Sequence, residues 1–151
     1  LSKLLRSYAA DLLNAGIGEK HSIEVEISPE AETAVIECDA RLILRAISNL
    51  VQNSINHNPQ RCDIFLSLDC LQADISITVS DNGVGLSAEK LRELEEKPHY
   101  MESTDERLDL RHGLGLLLVR QIVEAHGGIM KVANGTCCGI EIVLIFTKET
   151  A

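Results

Sequence analysis

Three things are missing from this sequence, and each removes a class of function. No cluster of lysine and arginine stands out, and the net charge is −9. Phosphate neutralisation needs clustered cations, so a general nucleic-acid or anionic-membrane surface is excluded and no nucleic-acid partner is expected. No apolar run reaches the ~18 residues that a spanning helix requires, and the N-terminus carries no signal-peptide pattern. The chain is therefore expected to make no direct membrane contact, while a parent protein anchored in the inner membrane is compatible with it. Cys38, Cys62, Cys70, Cys137 and Cys138 lack CxxC spacing and come with no histidine cluster. They read as reduced thiols in a cytoplasmic setting.

What is present fits one domain, residues 1–151, large enough for a sheet with helices packed on it. Leu1, Leu4, Leu5, Tyr8 and Leu12 recur at helical spacing, and Asn14, Gly16 and Gly18 supply a stop, so residues 1–16 form an amphipathic first helix. A helix that begins at the first residue is expected of a segment continued from a longer protein. Residues 21–28 alternate Ile23, Val25 and Ile27 with Glu24 and Glu26, a strand with one wet face that Pro29 ends. A short strand over 34–37 follows. Further strands are expected at 62–69 and 73–81, close enough to form a hairpin, and at 129–133 and 140–146.

The stretch Asp81-Asn82-Gly83-Val84-Gly85-Leu86 carries the first chemical signal. Period two sends Ile75, Ile77, Val79 and Asp81 to one face, so a carboxylate points where the core should be. Burying it costs several kcal/mol unless donors are found, from the protein or from a ligand with an amino group. Gly83 and Gly85 permit positive φ and leave room for close approach to the main chain. The same residues also suit an ordinary Asx or glycine turn.

A long helix after the candidate N-cap Asp39 carries the second signal. Leu42, Ile43, Ala46, Ile47, Leu50 and Val51 form its apolar stripe, and Asn49, Asn53 and Asn56 line one edge. Asn is a poor helix former, so either the edge is simply solvated or its amides have partners worth that cost. An Asn oxygen is a hard ligand suited to Mg²⁺ beside phosphates and waters. His57 and Asn58-Pro59 close the helix.

After a short helix over 86–95, residues 97–111 have no consistent period and many charges, which suggests a binding lid spanning 96–112. Gly113-Leu114-Gly115-Leu116 then opens a helix with Leu118, Val119, Ile122 and Val123 on its buried side and Gly127-Gly128 as its stop. A helix start exposes free N–H groups to anions such as phosphate. His126 reads as a packed or capping histidine.

In this order, the Asn49 to Ser54 run, the Asp81 to Gly85 run, Gly113 to Leu116 and the run from Gln121 to Gly128 resemble the asparagine box, the two glycine boxes and the following helix of the ATP-binding catalytic domain of bacterial sensor histidine kinases. The resemblance spans nearly the whole chain. It implies an α+β fold, a two-layer α/β sandwich of the Bergerat type shared with DNA gyrase and the Hsp90 chaperones, whose mixed, mostly antiparallel sheet is covered on one face by helices and carries an ATP lid.

The resemblance also assigns roles. Asp81 would accept from the adenine amino group, Gly83, Gly85 and Leu86 would approach the base beside His57, and Asn53 would hold Mg²⁺ on ATP, with Asn49 on the same edge as a second catalytic residue. Gly113, Leu114, Gly115 and Leu116 would frame the phosphates. Asn56 stands where the family has a phosphate-contacting lysine, Arg111 where a further glycine is usual, and no phenylalanine box is recognisable in the lid; Arg107 or Arg111 would supply positive charge. The implied activity is transfer of the γ-phosphoryl group to a histidine on a dimerisation and phosphoacceptor helical domain of the parent, which passes it to a response regulator receiver domain. None of His21, His57, His99, His112 or His126 has the phosphoacceptor context. The alternatives are an ATPase, whose members place a water-activating Glu where this chain has Asn49, an anti-sigma-type serine kinase, and a degenerate scaffolding domain.

Overall fold

The computed structural model describes residues 1–96, 114–135 and 138–148. Helix α1 (Ser2–Asn14) buries Leu5 and Ala9 and ends before Gly16, whose φ of 90° needs a glycine. Strand β1 (Ser22–Ile27) follows. Helix α2 (Ala40–His57) begins at Asp39, whose carboxylate accepts from the N–H groups of Arg41 and Leu42 at 2.9 and 3.3 Å. Strands β2 (Asp63–Leu71) and β3 (Asp74–Asp81) form the expected hairpin, turning through Gln72 at φ 55°. Helices α3 (Ala88–Glu96) and α4 (Leu114–Ala125) precede strands β4 (Ile129–Asn134) and β5 (Ile140–Thr147).

The sheet runs β1-β2-β3-β5-β4, with β1 parallel to β2 and every other pair antiparallel. Its register explains the one-sided core. Leu66, Val79, Ile142 and Val132 stand opposite one another across four strands, as do Leu68, Ile77, Leu144 and Met130, and all eight are buried. Ile43, Ile47, Leu50 and Val51 of α2 and Val119, Ile122 and Val123 of α4 close over these rows. Residues of the alternate phase, such as Ser67, Thr78, Val143 and Lys131, are half-buried or exposed. This is the mixed, mostly antiparallel two-layer sandwich that the resemblance implies, with the helices on one face.

Residues 34–37 form no strand, contrary to expectation. Pro29 opens a 3-10 turn (Pro29–Ala31), and the N–H of Ala34 bonds back to the Ala31 carbonyl at 3.1 Å. Ala34 is buried while Val35 is 74% exposed, so the alternation reflects a chain crossing the surface rather than a ladder. Helix α3 starts two residues later than its apolar pattern suggests because Leu86 is held by Asn134, described below, and Ser87 Oγ caps the helix by accepting from Lys90 N–H at 3.1 Å. Helix α4 ends at Ala125 and the chain turns away through Gly127 at φ 72°, Gly128 N–H reaching the Val123 carbonyl at 2.9 Å. His126 bridges two helix ends. Its Nε2 accepts from Asp39 N–H at 3.0 Å, which leaves Nδ1–H to donate to the Ile122 carbonyl at 2.7 Å. The lid stretch, with Arg107, lies outside the described residues apart from Glu96. Among the described residues no helix is long and apolar enough to cross a membrane.

Arg6 and Ser2 of α1 grip Glu32: Ser2 Oγ donates to it at 2.8 Å and the Arg6 guanidinium engages both carboxylate oxygens. The Arg6 hydrogen bonds, with that of Ser2, hold the Glu32 carboxyl down to about 2. A folded value below the unfolded one stabilises the fold above the ordinary carboxylate range, and that contribution is lost as pH falls towards 2. The pair is solvent-exposed, so the effect is small. The Tm difference between parent and Glu32→Gln should therefore be constant near neutral pH and shrink as acid is added from about pH 4.5 through pH 2; a difference as large at pH 2 as at neutral pH would contradict this.

Candidate functional site

Asp81 is the last residue of β3, in phase with Ile75, Ile77 and Val79, opposite Ile64, and 5% exposed. The protein supplies the donors its burial demands. Ser54 Oγ donates to Oδ2 at 2.7 Å, and the N–H groups of Gly83 and Ile140 donate to Oδ1 at 2.9 and 3.4 Å. Each carboxylate oxygen accepts about two hydrogen bonds, so Oδ2 keeps one acceptor position. Asp81 lines a cavity of about 320 Å³, a size suited to a small ligand.

The cavity is an apolar slot with a polar end. Leu50 from α2, Val84 and Leu86 from the loop after β3, Leu116 from α4, and Ile140 and Ile142 from β5 form its walls. A flat apolar group would bury its faces here while its edge met Asp81. Asn53, half-buried, and His57, exposed, line the α2 side. Asn49 and Asn56 are not among the lining residues; Asn56 is exposed, about 60° round the helix from Asn53, and its Oδ1 accepts from Gln52 Nε2 at 3.0 Å. Lys90 on α3 also lines the cavity and brings a positive charge to an acidic chain. Among the described residues no group of His, Cys, Asp and Glu could hold a metal by itself.

The two loop glycines are required for different reasons. Gly85 has φ 69°, and a Cβ there would come within 2.9 Å of both Asn134 Oδ1 and the Gly139 carbonyl. Gly83 does not adopt positive φ. The room expected there for a ligand is instead filled by Asn58, whose Oδ1 would lie 2.0 Å from an added Cβ. Asn58 Nδ2 donates to the Ser54 carbonyl at 2.8 Å and its Oδ1 accepts from Val84 N–H at 3.2 Å, stapling the loop to the end of α2. Gly83→Ala would expel this side chain and break both bonds, which should cost about 1–3 kcal/mol in chemical unfolding. If the clash is the cause, Asn58→Ala combined with Gly83→Ala should cost clearly less than the sum of the two single changes; strict additivity would contradict it.

Asn134 fastens the other side of the loop. Its Nδ2 donates to the Leu86 carbonyl at 2.7 Å and its Oδ1 accepts from Leu86 N–H at 2.8 Å, as a paired strand would. Ser54, Asn58, Asn134, Lys90, Ile140 and Ile142 were not singled out by sequence reasoning. Asn58 did carry a signal, standing before Pro59, but it read as helix punctuation. Behind Ser54, Cys62 is 2% exposed; burial first, then the charges of Asp81 and Asp63, pushes its thiol up to about 11, so it stays protonated. Arg111 and Gly113 lie outside the described residues. Leu114 and Gly115 open α4 through their backbone, and half-buried Leu116 reaches the cavity.

The model of the histidine kinase-, DNA gyrase B-, and HSP90-like ATPase family matches residues 38–148, which include α2, the loop after β3 and α4. The chain belongs to that family. Among relatives of this ATPase-family chain, the sensor protein IrlS of Burkholderia pseudomallei is 33% identical over 114 residues, covering 74% of this chain and 24% of its own length. The phosphate regulon sensor protein PhoR of Haemophilus influenzae is 27% identical over 139 residues, covering 92% of this chain and 31% of its own. The chain thus spans less than a third of either relative. The catalytic domain of histidine kinase ThkA in a nucleotide-free form superposes with a TM-score of 0.77 at 21% identity, covering 98% of this chain and 92% of that one. At that identity the likeness establishes the fold.

Proposed function

We propose that this domain binds ATP with Mg²⁺ and transfers the γ-phosphoryl group to a histidine on a separate dimerisation and phosphoacceptor helical domain of its parent, in two-component signalling. The observation that carries the reading is Asp81: a buried, fully held carboxylate with one acceptor position left, at the end of an apolar slot of ligand size. Such a site accepts a flat heterocycle bearing an amino group. Leu50, Leu116, Ile140 and Ile142 would bury its faces, while Gly85 and Leu86 would bring backbone close to it.

The donor set fits a cation carried in with the phosphates. Asn53 offers one hard oxygen on the cavity wall, and Mg²⁺ takes few protein ligands alongside phosphate and water. When bound, the ion would neutralise charge on the transferring group. Asn53 would orient that group, and Lys90 and the N-terminus of α4 would add positive potential. Asn49 cannot take a proton from water, which supports a phosphotransferase over a hydrolase. In the transfer the bond from the γ-phosphorus to its bridging oxygen breaks, a phosphorus–nitrogen bond forms to the incoming imidazole, and ADP leaves. The parent would work in the cytoplasm or from the inner membrane, with a receiver domain as the next acceptor.

Calorimetric titration of the purified domain with ATP, with Mg²⁺ and with a chelator in its place, tests the binding step. Saturable binding strengthened by Mg²⁺ is expected, and no binding of any adenine nucleotide would overturn the reading.

A further inference from the structure

Ser54 stands one residue after Asn53 on α2 and is 4% exposed. Its Oγ–H donates to Asp81 Oδ2 at 2.7 Å. Its carbonyl is pinned in turn, accepting from Asn58 Nδ2 at 2.8 Å and from the Cys62 thiol at 3.7 Å, so the residue sits in a fixed position. A hydroxyl has one proton. With that proton given to Asp81, the hydroxyl oxygen and the carboxylate both present only acceptor positions, and both residues line the cavity.

We propose that Ser54 is a specificity-determining positioning residue: by committing its one proton to Asp81 it makes this end of the cavity an acceptor-only surface, which takes an exocyclic amino group and rejects a keto oxygen. The proposal rests on the reading of Asp81 as the group that recognises the base. The hydroxyl also fixes the carboxylate, whose terminal torsion is otherwise broad. Removing it opens a space contiguous with the cavity. A water there can turn one proton to Asp81 and the other to a keto oxygen, so discrimination relaxes.

The test titrates ADP and inosine diphosphate, which carries a keto oxygen in place of the amino group, into the parent, Ser54→Ala and Ser54→Cys, with Tm as the check on folding. The parent should prefer ADP. Ser54→Ala should lower the ADP to inosine diphosphate affinity ratio about tenfold, the scale of one hydrogen bond to a charged group. Ser54→Cys, whose thiol is too weak a donor to hold the carboxylate in its fixed torsion, should lower it by a smaller factor and carries the test if the alanine variant does not fold. A merely structural role would weaken both nucleotides alike and leave the ratio unchanged. A parental ratio in either folded variant overturns the proposal alone, whereas a parent that does not distinguish the two nucleotides overturns the base-recognition reading and the proposal with it.

Discussion

Asp81→Asn should weaken ADP binding by about 5- to 150-fold, equivalent to roughly 1–3 kcal/mol, while leaving the domain folded. The hydrogen bonds decide both halves of that statement. An asparagine oxygen can replace Oδ1 and keep the Gly83 and Ile140 N–H groups, and the Ser54 hydroxyl can turn to accept from the new amide. The interior of the fold therefore stays satisfied. The cavity, however, now meets a donor where it had an acceptor, and an amino group on the ligand would face N–H against N–H. Inosine diphosphate should lose far less than ADP, or gain. Equal ADP affinity for variant and parent would sink the assignment of Asp81 to base recognition.

Asn53→Ala should abolish the Mg²⁺-dependent part of ATP binding and lower phosphotransfer by about 100-fold or more, the scale seen when one preorganised group is removed from a developing charge. Stability should hold, because Asn53 is a half-buried helix residue and alanine favours a helix by up to about 0.7 kcal/mol. Tm and metal-dependent titration together separate the two roles of this residue. A collapse of Tm would mean that Asn53 serves the packing of α2 rather than the ligand.

Much of this architecture was legible because it rests on local periodicity. The α2 stripe from Leu42 to Val51, buried throughout except at exposed Leu42, and the alternation of Ile75, Ile77 and Val79 both predict burial directly, and the second also places Asp81 inside. Asp39 as a cap and Gly127 as a stop follow from backbone chemistry. Failures came where distant segments meet. The alternation at 34–37 matches a strand, yet the turns begun at Pro29 take the Ala34 N–H and the stretch pairs with no strand. Gly83 signals close approach, but only the fold reveals that the approaching group is Asn58, 25 residues earlier in the chain. Ser54 and Asn134 show no pattern of their own, since their partners are 27 and 48 residues away. Asn49, Asn53 and Asn56 were read as one edge, and the turn of the helix leaves only Asn53 among them on the cavity wall.

Phosphate release from γ-labelled ATP, measured on the purified domain alone and again with the helical phosphoacceptor domain of its parent, tests the assignment as a histidine kinase most directly. Asn49 gives water no base, so the isolated domain should release negligible phosphate, Asn49→Glu should add little, and label should appear on a histidine only when the helical domain is present. Several turnovers per minute by the domain alone, lost in Asn53→Ala, would make it an ATPase and contradict the account.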